Sequence, residues 1–356
     1  MEADVVIIGG GLSGLALAHG LHRAGIDVQL FEARTRFGGR IAALSTGAGR
    51  VDLGPSWIWP GQDRVAHLVA DLGLSVFAQH ATGDILFEDA QGRVQRGAGF
   101  ASMAGAFRVA GGMVGLIEGL VARLPDARLH PSSPVETVGD GWVRLSDGRR
   151  CHARHIVLAL PPRLAARLRF DPALPDRTLA GLAAVPTWMA GHAKFVAVYT
   201  RAFWREAGLS GDAISRHGPL AELHDACGPE GAPAALFGFA GLPAATRAEA
   251  GDRFTALALE QLVRLFGPEA AQPLHTTVKD WARTPWTATP ADQLLPSGHR
   301  AYAPLPAPRD AARAHLHLAG TEVAPEMGGL IEGALAAAER VAQTILSEMG
   351  RPQGSV

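Results

Sequence analysis

The chain opens on a short apolar, β-branched run, Val5-Val6-Ile7-Ile8, which reads as a buried strand of a parallel sheet. After a glycine cluster, Leu15-Ala16-Leu17-Ala18-His19-Gly20-Leu21 continues as a helix that stops near Gly25. A second strand, Val28-Gln29-Leu30-Phe31-Glu32, ends in an acid. Further along, the pattern predicts helices over 65–72 and 114–124, and a hairpin through Asp89-Ala90-Gln91-Gly92. It also predicts strands at 142–146 and 150–160, separated by a turn at Asp147-Gly148, and a strand around Ala193-Lys194-Phe195. A long helix reaches about Leu346, and the proline-rich stretch from Pro296 to Pro308 reads as a loop. Strands alternating with helices give an α/β fold.

Composition narrows the class. With 356 residues the chain has room for two domains, or for one large domain and a lobe. Hydrophobic residues make up 47% and charged residues 19%, enough for a core and too apolar for disorder. The 33 basic residues offset 34 acidic ones, which excludes a strongly basic nucleic-acid binder and an acidic tail. No run of about 18 apolar residues predicts a transmembrane helix. The N-terminus lacks a basic region and a cleavage site, and the tail from Ser347 is short and polar, so a cytoplasmic protein without membrane contact is expected. Two cysteines, Cys151 and Cys227, make no disulfide framework. The only lysines are Lys194 and Lys279; every other cation is arginine. A lysine that survives such a bias is a candidate for chemistry of its own.

Gly9, Gly11 and Gly14 satisfy G-x-G-x-x-G between the first strand and the first helix, with Ser13 inside the motif. Gly9 permits the tight turn, Gly11 lets backbone approach a pyrophosphate, and Gly14 lets helix pack on strand; the helix N-terminus then faces the phosphates. Glu32 follows Gly14 at the distance of a ribose-binding carboxylate. The motif alone does not choose between NAD and FAD.

The next residues carry a resemblance. Glu32-Ala33-Arg34-Thr35-Arg36-Phe37-Gly38-Gly39-Arg40 looks like the E-A-R-x-x-x-G-G-R signature of the flavin-containing monoamine oxidase family, within the flavin amine oxidoreductases. Asp52-Leu53-Gly54-Pro55-Ser56-Trp57 is similar to its D-L-G-G-S-x segment, with Pro55 in place of a glycine. Gly111-Gly112-Met113, Pro134-Val135, Ile156 to Pro162, and His317-Leu318-Ala319-Gly320-Thr321-Glu322 followed by Gly328-Gly329-Leu330-Ile331 resemble later family elements, in family order. The resemblance implies an α/β fold with a discontinuous, Rossmann-type FAD-binding domain over 1–64, 108–183 and 282–356, and a smaller α+β substrate domain over 65–107 and 184–281. It implies FAD contacts from Arg34, Gly39, Arg40, Gly54, Pro55, Ser56, Trp57, Val135, Trp281, Gly320, Glu322, Gly329, Leu330 and Ile331, besides those of the glycine motif and Glu32. The family's flavin-linking cysteine falls on Pro290, so FAD is expected to be non-covalent.

The implied activity is oxidation of an amine: hydride leaves the α-carbon for flavin N5, the imine hydrolyses, and oxygen regenerates the flavin with release of hydrogen peroxide. Lys194 matches the family lysine that holds a water against N5. The two positions of the family's aromatic cage fall on Ala291 and Leu330, leaving Trp57, Trp188 and Trp286 as candidate substitutes in the substrate pocket. Desaturation of a non-amine substrate with another electron acceptor, or a flavoprotein without turnover, stays open on the same scaffold. His315 and His317 alternate along one strand with no acid or cysteine near them in sequence, so they are expected to be structural and no metal site is predicted.

Overall fold

A computed structural model describes residues 1–97, 103–293, 298–305 and 315–351. Parts of the predicted proline-rich loop and of the C-terminal tail lie outside the described residues. The elements that build the site are, in chain order, β1 (Glu2–Ile8), α1 (Leu12–Arg23), β2 (Val28–Phe31), β3 (Arg150–Leu158), β4 (Ala193–Tyr199), β5 (Ala234–Ala240), α2 (Arg253–Phe266), β6 (His275–Asp280), β7 (Leu316–Leu318) and α3 (Ile331–Glu348).

The apolar run of β1 is buried because it lies inside a parallel sheet, between β2 and β3. Leu129–His130 extends the sheet beyond β2, and β7 extends it beyond β3. The strand order is therefore that of a dinucleotide-binding fold, and it reverses between β1 and β3. Side chains of β1 alternate. Val5 and Ile7 join the core under α1 and α3, whereas Val6 and Ile8 join a second core with Val138, Leu145 and Phe170. The predicted 142–146 and 150–160 strands form as Trp142–Leu145 and β3, an antiparallel pair. Leu15, Leu17 and Leu21 of α1 are fully buried, each worth about 1.5–3 kcal/mol of apolar transfer.

The second sheet has seven strands in the order β6, β4, β5, Leu220–Asp225, Leu209–Ser215, Asp84–Glu88, Val94–Gly97. The last two form the hairpin predicted at Asp89–Gly92, so segments far apart in sequence share one sheet. Here too the period of two decides facing. Phe195, Ala197 and Tyr199 pack with Phe254, Leu262 and Phe266 of α2. Lys194, Val196 and Val198 point the other way, and the two valines pack with Val51 and Phe237.

One boundary differs from the sequence expectation. The helix placed after residue 64 runs Asp63–Asp71, and its Val65 and Val69 pack into the core of the nucleotide-binding domain with Leu116, Leu120 and Leu335. Its apolar stripe has a partner in that domain, so that core extends past residue 64. No helix among the described residues is long and apolar enough to cross a membrane.

Candidate active site

A cavity of about 440 Å³ opens where the parallel strands end. Gly9 after β1, Glu32 after β2, Ala159 and Leu160 after β3, and Gly320 after β7 all line it. This is the crevice at the strand-order reversal, the ligand position of open α/β sheets. Two helices begin at the same cavity. Gly11, Leu12 and Ser13 of the α1 terminus line it, as do Gly329, Leu330, Ile331 and Ala334 of the α3 terminus. Unpaired N–H groups and two positive dipole ends thus converge on one space.

The residues here suit a dinucleotide. A Cβ built on Gly11 meets nothing within 4 Å, so backbone faces open space at the helix start. A Cβ on Gly14 would lie 2.0 Å from the Gly9 carbonyl oxygen, which explains why helix and strand approach so closely. Arg34, Arg40 and Lys194 line the cavity, and Glu32 is the one acid among the described lining residues. That balance favours an anionic guest. Glu32 accepts hydrogen bonds from the Gly10 and Arg34 N–H groups, both at 2.8 Å, so it also pins the loop on which a ribose would rest. Arg34 donates to Thr287 Oγ1 at 2.6 Å. Ser13 Oγ donates to the Ala319 carbonyl and ties the α1 terminus to the end of β7.

Two predicted contacts act one step back. Glu322 does not line the cavity: its fully buried carboxylate takes two hydrogen bonds from Arg40, at 2.6 and 3.1 Å, and one from the Trp188 N–H. Val135 also lies outside the lining. Ser132 and Ser133 are the residues that bond the Arg34 and Glu32 carbonyls, and Val135 turns away into the hairpin with Leu145.

Lys194 lies on β4 between two neighbouring strands, not on an edge, and is fully buried. Its ammonium donates to the carbonyls of Gly54 (2.8 Å) and Asp52 (3.2 Å) and to Ser56 Oγ (2.9 Å). It also sits 4.0 Å from the Phe237 ring centroid. All three donors of the charged form are therefore spent on the Asp52–Ser56 turn, a feature the sequence did not reveal. Burial lowers its pKa to about 7, with Asp52 opposing and Arg108 adding to the fall. Burial raises the pKa of Asp52, against Arg108 and Lys194. Asp52 Oδ1 accepts the Met113 N–H at 2.8 Å, so one carboxylate joins the D-L-G-P-S and G-G-M segments.

The lining beyond Lys194 is aromatic. Trp57, Trp188, Trp281 and Trp286 take part, as predicted residues, together with Trp59 and Phe239, which the sequence reading missed. Ile58 between the two tryptophans is buried, while Trp57 and Trp59 both line the cavity. Trp57 is fixed by its Nε1 donating to Gln79 at 2.9 Å and packs against Phe237. Behind it lies His224, held by Asp212 at 3.0 Å and Glu222 at 2.9 Å; burial lowers its pKa, but these bonds outweigh it and raise the pKa overall.

Of the two expected cage positions, Leu330 lines the cavity and Ala291 does not. Ala291 is exposed in the single turn Pro290–Asp292 because Asp292 takes the inward place, capping Thr289 and accepting the Thr187 N–H. Both tyrosines are spent elsewhere: Tyr199 donates to the Ala270 carbonyl and Tyr302 to that of Pro186, and neither lines the cavity. Both cysteines are buried away from it.

Residues 86–346 match the model of the flavin containing amine oxidoreductases, and residues 7–72 match an NAD(P)-binding Rossmann-like domain. The chain belongs to the flavin containing amine oxidoreductase family. It is 22% identical to the probable flavin-containing monoamine oxidase A of Dictyostelium discoideum, over 97% of this chain and 98% of that one. It is 26% identical to the putrescine oxidase of Kocuria rosea, over 95% of each. The cyclohexylamine oxidase structure from Brevibacterium oxydans superposes with a TM-score of 0.83 at 23% identity, over 99% of this chain and 100% of that one. The first of these alignments spans 456 positions against 356 residues, so that relative carries segments this chain lacks. As a family member the chain is an FAD-dependent amine oxidase, and the cysteine positions agree with FAD held without a covalent link.

Glu32→Ala removes two loop hydrogen bonds at once, together with the carboxylate expected to accept from a ribose. A loss of about 1–3 kcal/mol follows, weakening FAD roughly 5- to 150-fold. Dialysis against FAD-free buffer reads this out; full retention would contradict the assignment of Glu32.

Proposed function

We propose that the chain oxidises a monoamine with an apolar body. The observation that carries this reading is the lining: six aromatic side chains, and no acid other than Glu32 among the described residues. Glu32 is engaged by the loop at the nucleotide end. A diamine's second ammonium finds no anionic partner here, whereas a hydrocarbon ring or chain gains from burial against tryptophan and phenylalanine.

In the proposed arrangement the α1 N-terminus, Arg34 and Arg40 hold the phosphates, and Glu32 holds the adenosine ribose. Gly54, Pro55, Ser56, Trp57 and Trp281 flank the ring system, together with the α3 terminus from Gly329 to Ile331. Bound FAD supplies the two-electron acceptor. The protein orients the amine as its neutral form, excludes water with the aromatic wall, and keeps a titratable lysine beside Ser56. The iminium product hydrolyses to an aldehyde or ketone, and oxygen takes up two electrons and two protons to leave as hydrogen peroxide. Leu330 and Trp188 take the part of the tyrosine cage. Residues 1–64, 108–183 and 282–356 form the FAD domain in this reading, with the Asp63–Asp71 helix added to it, and the remainder forms the substrate domain. Free, buried Cys151 and Cys227 suit the reducing cytoplasm, which we assign as its location.

Anaerobic titration of the FAD-loaded protein against cyclic, aromatic and linear monoamines, with diamines alongside, tests this. Bleaching of the flavin by apolar monoamines at least tenfold more efficiently than by diamines is expected. Preference for diamines would reject the substrate class. Bleaching by no amine would reject amine oxidation.

A further inference from the structure

On the α3-facing side of the same sheet the structure brings together groups that sequence spacing kept apart. His155 lies on β3, His317 on β7, and Glu348 is the last residue of α3. Parallel pairing of β3 with β7 sets His317 opposite Val157. That puts His155 and His317 on the face that carries α3, where its final turn delivers Glu348. Both imidazoles are buried, and the carboxylate is partly open to solvent. This corrects the expectation that no acid accompanies these histidines.

We infer that His155, His317 and Glu348 form a zinc-binding site that staples the C-terminal helix to the nucleotide-binding sheet. The distances support this. His155 Nδ1 is 3.2 Å from His317 Nε2 and 3.5 Å from Glu348 Oε2, and His317 Nε2 is 3.8 Å from Glu348 Oε2. Tetrahedral zinc with ligands at about 2.0–2.2 Å separates its donor atoms by roughly 3.3–3.6 Å. Three protein atoms thus stand close to three corners of such a site before any ion enters. The fourth corner has a candidate in His315, whose Nδ1 is 3.7 Å from the same carboxylate oxygen. Two or three imidazoles and one carboxylate are a donor set for a borderline cation and not for calcium or magnesium. The three donors come from β3, β7 and α3, so the ion adds a cross-link to two paired strands and a helix that already bonds to the Leu318 carbonyl through Arg340. Its role is structural. The cavity begins at Gly320, three residues or roughly 10 Å beyond His317 along the chain, and α3 carries Glu348 about 27 Å from its own end that lines the cavity.

The test uses FAD-loaded protein stripped with chelator and then titrated with Zn2+ by calorimetry. Co2+ serves as a second probe, through the d–d bands of four-coordinate cobalt at wavelengths beyond flavin absorption. One ion per chain and a raised Tm are expected. Glu348→Gln, at a solvent-accessible helix end, should fold normally and lose affinity about tenfold or more. His155→Gln should lose the cobalt spectrum while leaving the flavin spectrum unchanged. Absence of stoichiometric uptake, or uptake that persists unchanged in Glu348→Gln, would overturn the site, because the ion would then lie on other histidines.

Discussion

Gly11→Val is expected to yield a folded, colourless protein. The backbone at Gly11 is extended (φ −76°, ψ −179°), a conformation any residue adopts, and an added Cβ finds no atom within 4 Å. Neither the backbone nor the space at Cβ therefore opposes a side chain here. The side chain instead enters the open space at the α1 N-terminus, where a pyrophosphate must approach the N–H groups closely. A loss of at least about 3 kcal/mol in cofactor binding, more than 10²-fold, is the expected result. The flavin-to-protein absorbance ratio and far-ultraviolet circular dichroism measure the two halves of this statement separately. Native dichroism with full FAD occupancy would mean that the diphosphate lies elsewhere. Gly14→Ala is the useful contrast. Its Cβ would strike the Gly9 carbonyl oxygen at 2.0 Å, so it should damage the fold itself and not only cofactor uptake.

The nucleotide-binding half was legible because its chemistry is local. A glycine motif, the strand before it and an acid at fixed distance lie within 32 residues, and each constrains backbone more than side-chain packing. Pairing across sheets was not local. Ala291 was placed by counting along a proline-containing segment, and one helical turn was enough to put Asp292 inside and Ala291 out. The engagement of Lys194 by Asp52, Gly54 and Ser56 joins positions more than a hundred residues apart, and no period in either segment announces it. The histidine–glutamate cluster escaped for the same reason, since its donors come from two strands and a helix end. Alternation does carry information across β4, where it puts Lys194 on the valine face.

The cavity-facing lysine gives the largest functional prediction. Lys194→Met, about the same length and apolar, is expected to retain FAD with a lowered Tm, because the Asp52 and Gly54 carbonyls and Ser56 Oγ lose a buried donor. The proposed role of Lys194 is to place positive charge beside Ser56, where negative charge builds as oxygen accepts electrons. Loss of that charge should slow reoxidation by oxygen about 10²-fold or more, while anaerobic bleaching by amine changes much less. In the unsubstituted protein, the charged fraction falls as pH rises through about 7, so reoxidation should slow across that interval; in Lys194→Met the dependence should vanish. Stability carries the opposite sign. Between about pH 7 and the ordinary lysine range the unfolded chain holds a proton that the native chain has released, so native stability rises with pH there, and methionine abolishes the rise. Stopped-flow reoxidation and thermal melts across this range, run on both proteins, separate the two effects. If the variant reoxidises at the unsubstituted rate at every pH, the ammonium serves only to hold the Asp52–Ser56 turn.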